Sequence, residues 1–306
     1  MLALGVQTWG TDLPALRRYW TAADQLGFAR ITYGDGLWSW THDGWTMLAA
    51  LAVAARRARI GPAVTYAFHP AAHHPAWLAK RAVAVDHLSG GRLDLRLGVG
   101  AEDADTANVW AAHGIPYPPA AERVARLDET LRVLRALFSG EAVTHQGPLY
   151  RLAGARLEPA ALQPHGPPVW VAAMRPRALD VVARWADGWE ASYLSAPAFA
   201  ERWAALATRL RAAGRPPESL RRSVELDVVL AEHGEHPGAA LERFRRQRDV
   251  AADHPLLTAT LSGNATDLRQ TLAAYAGAGA TDLMLAFADF PETRMLERFA
   301  ADVLAQ

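Results

Sequence analysis

A closed (β/α)8 TIM barrel with insertion segments is the α/β fold that this 306-residue chain predicts. Eight short apolar runs recur along it, longer amphipathic segments fill the intervals, and no linker or shift in composition divides it. A long doubly wound sheet is the alternative for the same alternation. The count of eight and the undivided chain favour the barrel, one domain over residues 1–306 with an insertion at about 139–167. In a barrel the active site lies where the strands end, so the residues following each strand are the ones to weigh.

The elements follow in order. Residues 2–8 form a strand, and residues 13–26 carry apolar side chains at helical spacing until Gly27 stops them. A strand at 30–34, a helix at 45–57 and a strand at 60–66 come next. Pro75 suits the first turn of a helix over 75–88, and SGGR then turns the chain into a strand at 93–98. Residues after Gly98 read as a loop, proline-rich around 114–119. A long helix spans 122–138, with Val124, Leu127, Leu131, Leu134 and Leu137 along its apolar face. Within the insertion, VTHQGPLYRL has the form of a hairpin about Gly147 and Pro148. Strands at 169–173, 188–191, 224–230 and 282–287 complete the eight, and a helix at 292–304 closes the chain.

Composition narrows the function. Thirty-two basic residues balance thirty-two acidic ones, so no overall field draws the protein to nucleic acid or an anionic membrane. The absence of cysteine removes disulfides, thiolate metal sites and a cysteine nucleophile. The opening MLALGVQTWG lacks the form of a signal peptide, and no apolar run is long enough to span a bilayer, which makes the cytoplasm the expected location. His69 and His73 are four apart, but Pro70 and Pro75 break the helix that would align them; no metal is expected. No P-loop, H-E-x-x-H or Ser-His-Asp ordering is present. A small-molecule substrate remains.

DHLSGGRLDLRLGVG offers only a fragment of the dinucleotide glycine pattern, with Glu102 and Asp103 following it. Taken with the neighbouring blocks, it points elsewhere. ADQLGFARITYGDG, the SGGR-to-LGVG segment, RLDETLRVLRALFSG, PPVWVAAMRPRALDVVARWADGWEAS and GNATDLRQTLAAYAGAGATDLMLAF stand in an order covering nearly the whole chain. In this it resembles the bacterial-luciferase-like superfamily of flavin and deazaflavin enzymes, most closely the coenzyme F-420-dependent oxidoreductases. The resemblance implies hydride transfer between F-420 and a small organic substrate, and a homodimer. Its alternatives are an FMN-dependent monooxygenase fed by a separate reductase, and a non-catalytic relative that has lost its cofactor.

The resemblance also assigns residues. Asp35, Trp40 and Glu102 fall at or near family catalytic positions, although Gly36 stands where relatives carry a histidine suited to proton exchange. That departure leaves Asp35, Glu102 or water for any proton step, or room beside Trp40 for a bulkier substrate. Asp35 is also a natural turn residue in GDG, and Glu102 with Asp103 suits a solvated rim. Cofactor contacts fall on Asp35, on Ala63, Val64 and Tyr66, where relatives place a cis peptide between the first two, and on Gly98 and Gly100. Ala172, Ala173, Met174 and Arg175, before a helix starting at Pro176, match the phosphate loop, with Arg177 beside it; Ser192 is a further contact. A regular strand at 60–66 and a solvated helix start are the plainer readings.

Overall fold

The computed structural model describes residues 2–68 and 74–304. In chain order the elements are β1 (Ala3–Thr8), α1 (Leu13–Gln25), β2 (Arg30–Tyr33), α2 (Gly44–Ala54), β3 (Arg59–Pro62), β4 (Thr65–Tyr66), α3 (Pro75–Ser89), β5 (Leu95–Gly98), α4 (Ala104–Ala112), α5 (Ala120–Leu137), β6 (Val143–Gln146), β7 (Arg151–Ala155), β8 (Val169–Ala172), α6 (Pro176–Trp185), β9 (Gly188–Ser192), α7 (Ala196–Ala212), β10 (Arg221–Leu230), α8 (Pro237–Arg248), α9 (Pro255–Ala259), β11 (Leu261–Gly263), α10 (Ala265–Gly277), β12 (Asp282–Phe287) and α11 (Arg294–Phe299). Strands β3, β2, β1, β12, β10, β9, β8, β5 and β4 pair in that order, all in parallel. A bridge between Ile60 and Leu93 closes the ring. The predicted barrel is the fold observed.

Several boundaries moved, each for a local reason. The strand expected at 60–66 is two pieces, interrupted at the cis peptide Ala63–Val64 just after Pro62, which has no N–H to donate to the ladder. Helix α2 stops at Ala54 rather than residue 57. There the Arg92 guanidinium donates to the carbonyls of Ala52, Ala55 and Ala58, and the Asp24 carboxylate accepts from the amides of Arg56, Arg57 and Ala58. Two side chains from other elements have taken over the orphaned backbone groups of the helix end. The loop expected after Gly98 contains α4, capped by Asp103, whose carboxylate accepts from the Thr106 amide at 2.7 Å. Strand β11 pairs in parallel with the last residues of β10, past the stretch that pairs with β9, and α11 is shorter than expected, running into a π-helical turn at Ala300–Leu304.

The hairpin of the insertion forms as β6 and β7. The buried Glu129 carboxylate of α5 fastens it, accepting from the amides of Leu149 and Tyr150 and from His145 Nε2. SGGR turns as expected: Gly90 and Gly91 take φ of 66° and 83°, in the left-handed region that favours glycine.

The barrel interior is partly ionic. Arg30 bonds Asp94 at 2.9 Å and also Asp282, which in turn holds Arg221; Asp94 also accepts from Arg59 at 2.7 Å. Trp170 lies between the guanidinium groups of Arg30 and Arg96, 5.0 and 4.7 Å from its ring. Gly188 permits that arrangement, since a Cβ there would fall 2.3 Å from the indole. Helices pack their apolar faces around this ring in one large core, and a smaller separate cluster joins Ala240 and Phe244 of α8 to Val229 and Ala231. Among the described residues no helix is long and apolar enough to cross a membrane.

Candidate active site

A cavity of about 830 Å³ opens at the carboxyl ends of the strands. Small residues form much of its wall: Ala63 and Val64 between β3 and β4, Gly98 and Gly100 at the end of β5, and Ala172 and Ala173 at the end of β8. Little side chain projects from them, so a flat molecule can approach the backbone closely. Trp189 Nε1 donates to the Ala173 carbonyl at 2.8 Å and fixes that segment from behind. The tryptophan of ADGW therefore positions the loop after β8.

Aromatic rings line the sector beside β2 and β4. Trp38 and Trp40 stack at 5.2 Å, and Trp38 meets Tyr66 edge-on at 6.0 Å. Trp40 is half exposed at the mouth, whereas Trp38 lies deeper. The sequence favoured Trp40; the structure places both on the cavity. It also corrects the reading of Gly36. A Cβ at residue 36 would sit 1.8 Å from the Trp38 ring, so the room left by the missing histidine holds an indole and is not spare volume for substrate.

The sector around β8 and α6 is cationic. Met174, Arg175 and Arg177 line the cavity beside the first turn of α6, whose N–H groups have no intrahelical partner. Arg175 donates to Glu102 at 2.8 Å, both largely exposed, so the two expected site residues form a rim ion pair. Arg123, on α5, was not anticipated. It is buried, lies 4.3 Å over the Tyr117 ring and bonds the Ala101 carbonyl, while its Nε has no partner among the described residues. Burial pushes the Tyr117 hydroxyl up to about 12, the Arg123 charge opposing that shift.

Asp35 is not brought to the cavity. Its carboxylate accepts from Thr65 Oγ1 and packs against Gly44 at the start of α2; Thr65 accepts from Trp45 Nε1 at 3.1 Å. Burial raises its pKa to about 6, with the Asp43 charge adding to the rise and the Thr65 hydrogen bond opposing it.

Gln7, Ser192, Glu190 and Glu225 also line the cavity, and the Glu225 charge acts on Tyr66 of the aromatic sector. Ser192 was expected, and Gln7, Glu190 and Glu225 were not. Glu190 is buried against Arg96, whose own pKa burial lowers to about 10. Glu225 accepts from Tyr193 Oη at 3.1 Å and Ser192 Oγ at 3.3 Å, and from the Gln7 side chain. A signal for it was present in RRSVELDVVL, where two carboxylates two residues apart share one face of a strand whose other face carries Val224, Leu226 and Val228. His69 and His73, from which no metal was expected, lie outside the described residues.

Comparison with known proteins agrees with this architecture. A family model described as luciferase-like monooxygenase matches residues 3–296. Over 217 residues the chain is 31% identical to the F420-dependent hydroxymycolic acid dehydrogenase of Mycobacterium tuberculosis, a match covering 69% of this chain and 58% of that protein. It is 26% identical to the F420-dependent glucose-6-phosphate dehydrogenase of Kineococcus radiotolerans, over 92% of this chain and 89% of that one. It spans about half, 51%, of the corresponding enzyme of Nakamurella multipartita. Among solved structures, the coenzyme F420-dependent tetrahydromethanopterin reductase of Methanopyrus kandleri superposes with a TM-score of 0.82 at 16% identity, covering 99% of this chain and 98% of that one. The monooxygenase RslO1 of Streptomyces bottropensis gives 0.78 at 22%, covering 99% of each. These two likenesses establish the fold.

Proposed function

The chain belongs to the luciferase-like monooxygenase family of oxidoreductases, and from that premise we propose that it transfers hydride between coenzyme F-420 and a small organic substrate. One observation carries the reading: a single cavity joins a wall of small and aromatic residues to a cationic helix start. A fused ring with a phosphate-bearing tail has those two halves. The residues fit such a group on chemical grounds. Arg123 brings a buried Nε without a partner to the cavity, and the first-turn amides of α6 favour an anion.

In this reading Ala63, Val64, Gly98, Gly100, Ala172 and Ala173 face the ring, and Tyr66 with Trp38 and Trp40 borders the substrate. Met174, Arg175, Arg177 and Arg123 hold the tail, and Ser192 is a further contact. Asp35 and Thr65 keep the turn after β2 in place, so their role is positional. When bound, the deazaflavin supplies the two-electron chemistry. The chain supplies orientation, a largely apolar surrounding that sheds water, and a proton. Names of the curated relatives, several of them F420-dependent dehydrogenases, support this choice of cofactor over FMN.

A visible-absorbance titration of the purified protein with F-420, FMN and NADPH tests it. Tightest binding is expected for F-420. Tighter binding of FMN would replace the proposal with a flavin monooxygenase, and tighter binding of NADPH than of either, or of none of the three, would overturn it.

A further inference from the structure

Three carboxylates line the cavity, and two of them are neutralised by a cation: Glu102 by Arg175 at the rim and Glu190 by Arg96 in the interior. Glu225 has no ion-pair partner among the described residues, because the nearby Arg248 is spent on Asp227 at 2.8 Å. We propose that Glu225 is the catalytic acid of this site, giving its proton to the oxygen of a carbonyl substrate seated beside the Trp38–Tyr66 wall. The proposal rests on the oxidoreductase reading above and deepens it, since it commits the substrate to an aldehyde or ketone reduced to an alcohol.

An acid that cycles must be tolerable in both charge states. The neutral form is favoured by burial and by the Asp227 charge two residues along the strand, which together raise the Glu225 pKa. The charged form is accommodated by three donors, Tyr193 Oη, Ser192 Oγ and the Gln7 side chain. Arg96 on β5, Glu190 on β9, Tyr66 on β4 and Arg248 on α8 are the other ionisable groups around it. Tyr193 is fastened to residue 225 twice, by its hydroxyl and by its amide, which donates to the Glu225 carbonyl at 3.0 Å. It holds φ at 51°, in the left-handed region that aromatic residues rarely adopt.

The step balances as follows. The O–H bond of Glu225 breaks and its proton goes to the carbonyl oxygen. The π pair of the C=O bond forms the new O–H bond, and the carbonyl carbon takes the hydride that a reduced deazaflavin supplies. The carboxylate left behind keeps its three donors until solvent returns the proton.

Two measurements on wild type, Glu225→Gln and Glu225→Asp test this. In the unloaded protein, pH-difference infrared spectra should contain a protonated-carboxyl band that Glu225→Gln removes. With reduced F-420 and acetophenone as the probe carbonyl, single-turnover reduction should slow about a hundredfold in Glu225→Gln and recover partly in Glu225→Asp. F-420 affinity and near-ultraviolet circular dichroism should match wild type in both. Identical infrared spectra for wild type and Glu225→Gln, or equal turnover rates, would overturn the assignment. Wild type that binds F-420 but leaves acetophenone unreduced would overturn the carbonyl class. Failure of wild type to bind F-420 would instead count against the cofactor reading, while the infrared comparison still decides whether Glu225 presents a proton.

Discussion

Asp35, just after β2, and Glu225, within β10, are both carboxyls, and their surroundings give them different work. Asp35 faces Thr65 and the start of α2, away from the cavity, and burial lifts its pKa from 3.8 to about 6. Within that window the folded protein holds a proton that the unfolded chain has lost, so stability falls as pH rises through it. A shift of this size corresponds to roughly 3 kcal/mol at full expression; partial burial reduces the expectation to about 1–2 kcal/mol. Asp35→Asn, neutral at every pH, should flatten that part of the profile in urea unfolding followed from acid to neutral pH. Profiles of equal slope for the two proteins would remove Asp35 as the cause. Sequence alone could not separate these two carboxyls. GDG drew attention to Asp35 because of its motif, whereas Glu225 lay within a strand where only the alternation marked it.

At the scale of elements, α6 carries the anion-binding end of the cavity. Pro176 occupies its first turn, and Arg175 extends from its N-cap to Glu102 across the rim. Charge reversal there acts on a bound anion over a short distance, and helix-terminus charges contribute about 0.3–1 kcal/mol. Arg175→Glu is therefore expected to weaken F-420 binding about two- to fivefold in the absorbance titration. The melting temperature should hardly move, since an exposed pair such as Arg175–Glu102 contributes about 0–1 kcal/mol. Unchanged affinity would leave the tail to Arg123 and the backbone amides. Most of these elements were legible because apolar periodicity and proline position are local properties. Helix α4 was missed for a physical reason: ADTANVWAA is short and weakly amphipathic, and its stability comes from the Asp103 cap and the packing of Trp110 against Phe68.

Across the whole molecule, the ring of strands is tied by charges that no single strand satisfies. Asp282 on β12 is fully buried and holds Arg30 from β2 and Arg221 from β10, and Arg30 continues to Asp94 beside β5. Removing Asp282 takes from the buried Arg30 one of its two carboxylate partners, at a cost of up to about 3–5 kcal/mol. Asp282→Ala should lower the urea midpoint accordingly, while the conservative Asp282→Asn keeps part of the hydrogen bonding and loses less. A loss below about 1 kcal/mol for the alanine variant would mean that solvent reaches the network.

What the sequence determined by itself is the part of the molecule written in local chemistry. Eight apolar runs with helices between them specify the barrel, SGGR specifies the turn before β5, and the ordered blocks specify the family. Tertiary structure decided what faces the cavity. Trp38 fills the space over Gly36, Thr65 claims Asp35, Arg175 claims Glu102, and Glu225 is left without an ion-pair partner among the described residues. Each of these depends on contacts between residues distant in sequence. Periodicity tells which face of a strand is buried, but which partner a buried carboxyl meets is fixed only when the ring of strands closes and sets their register.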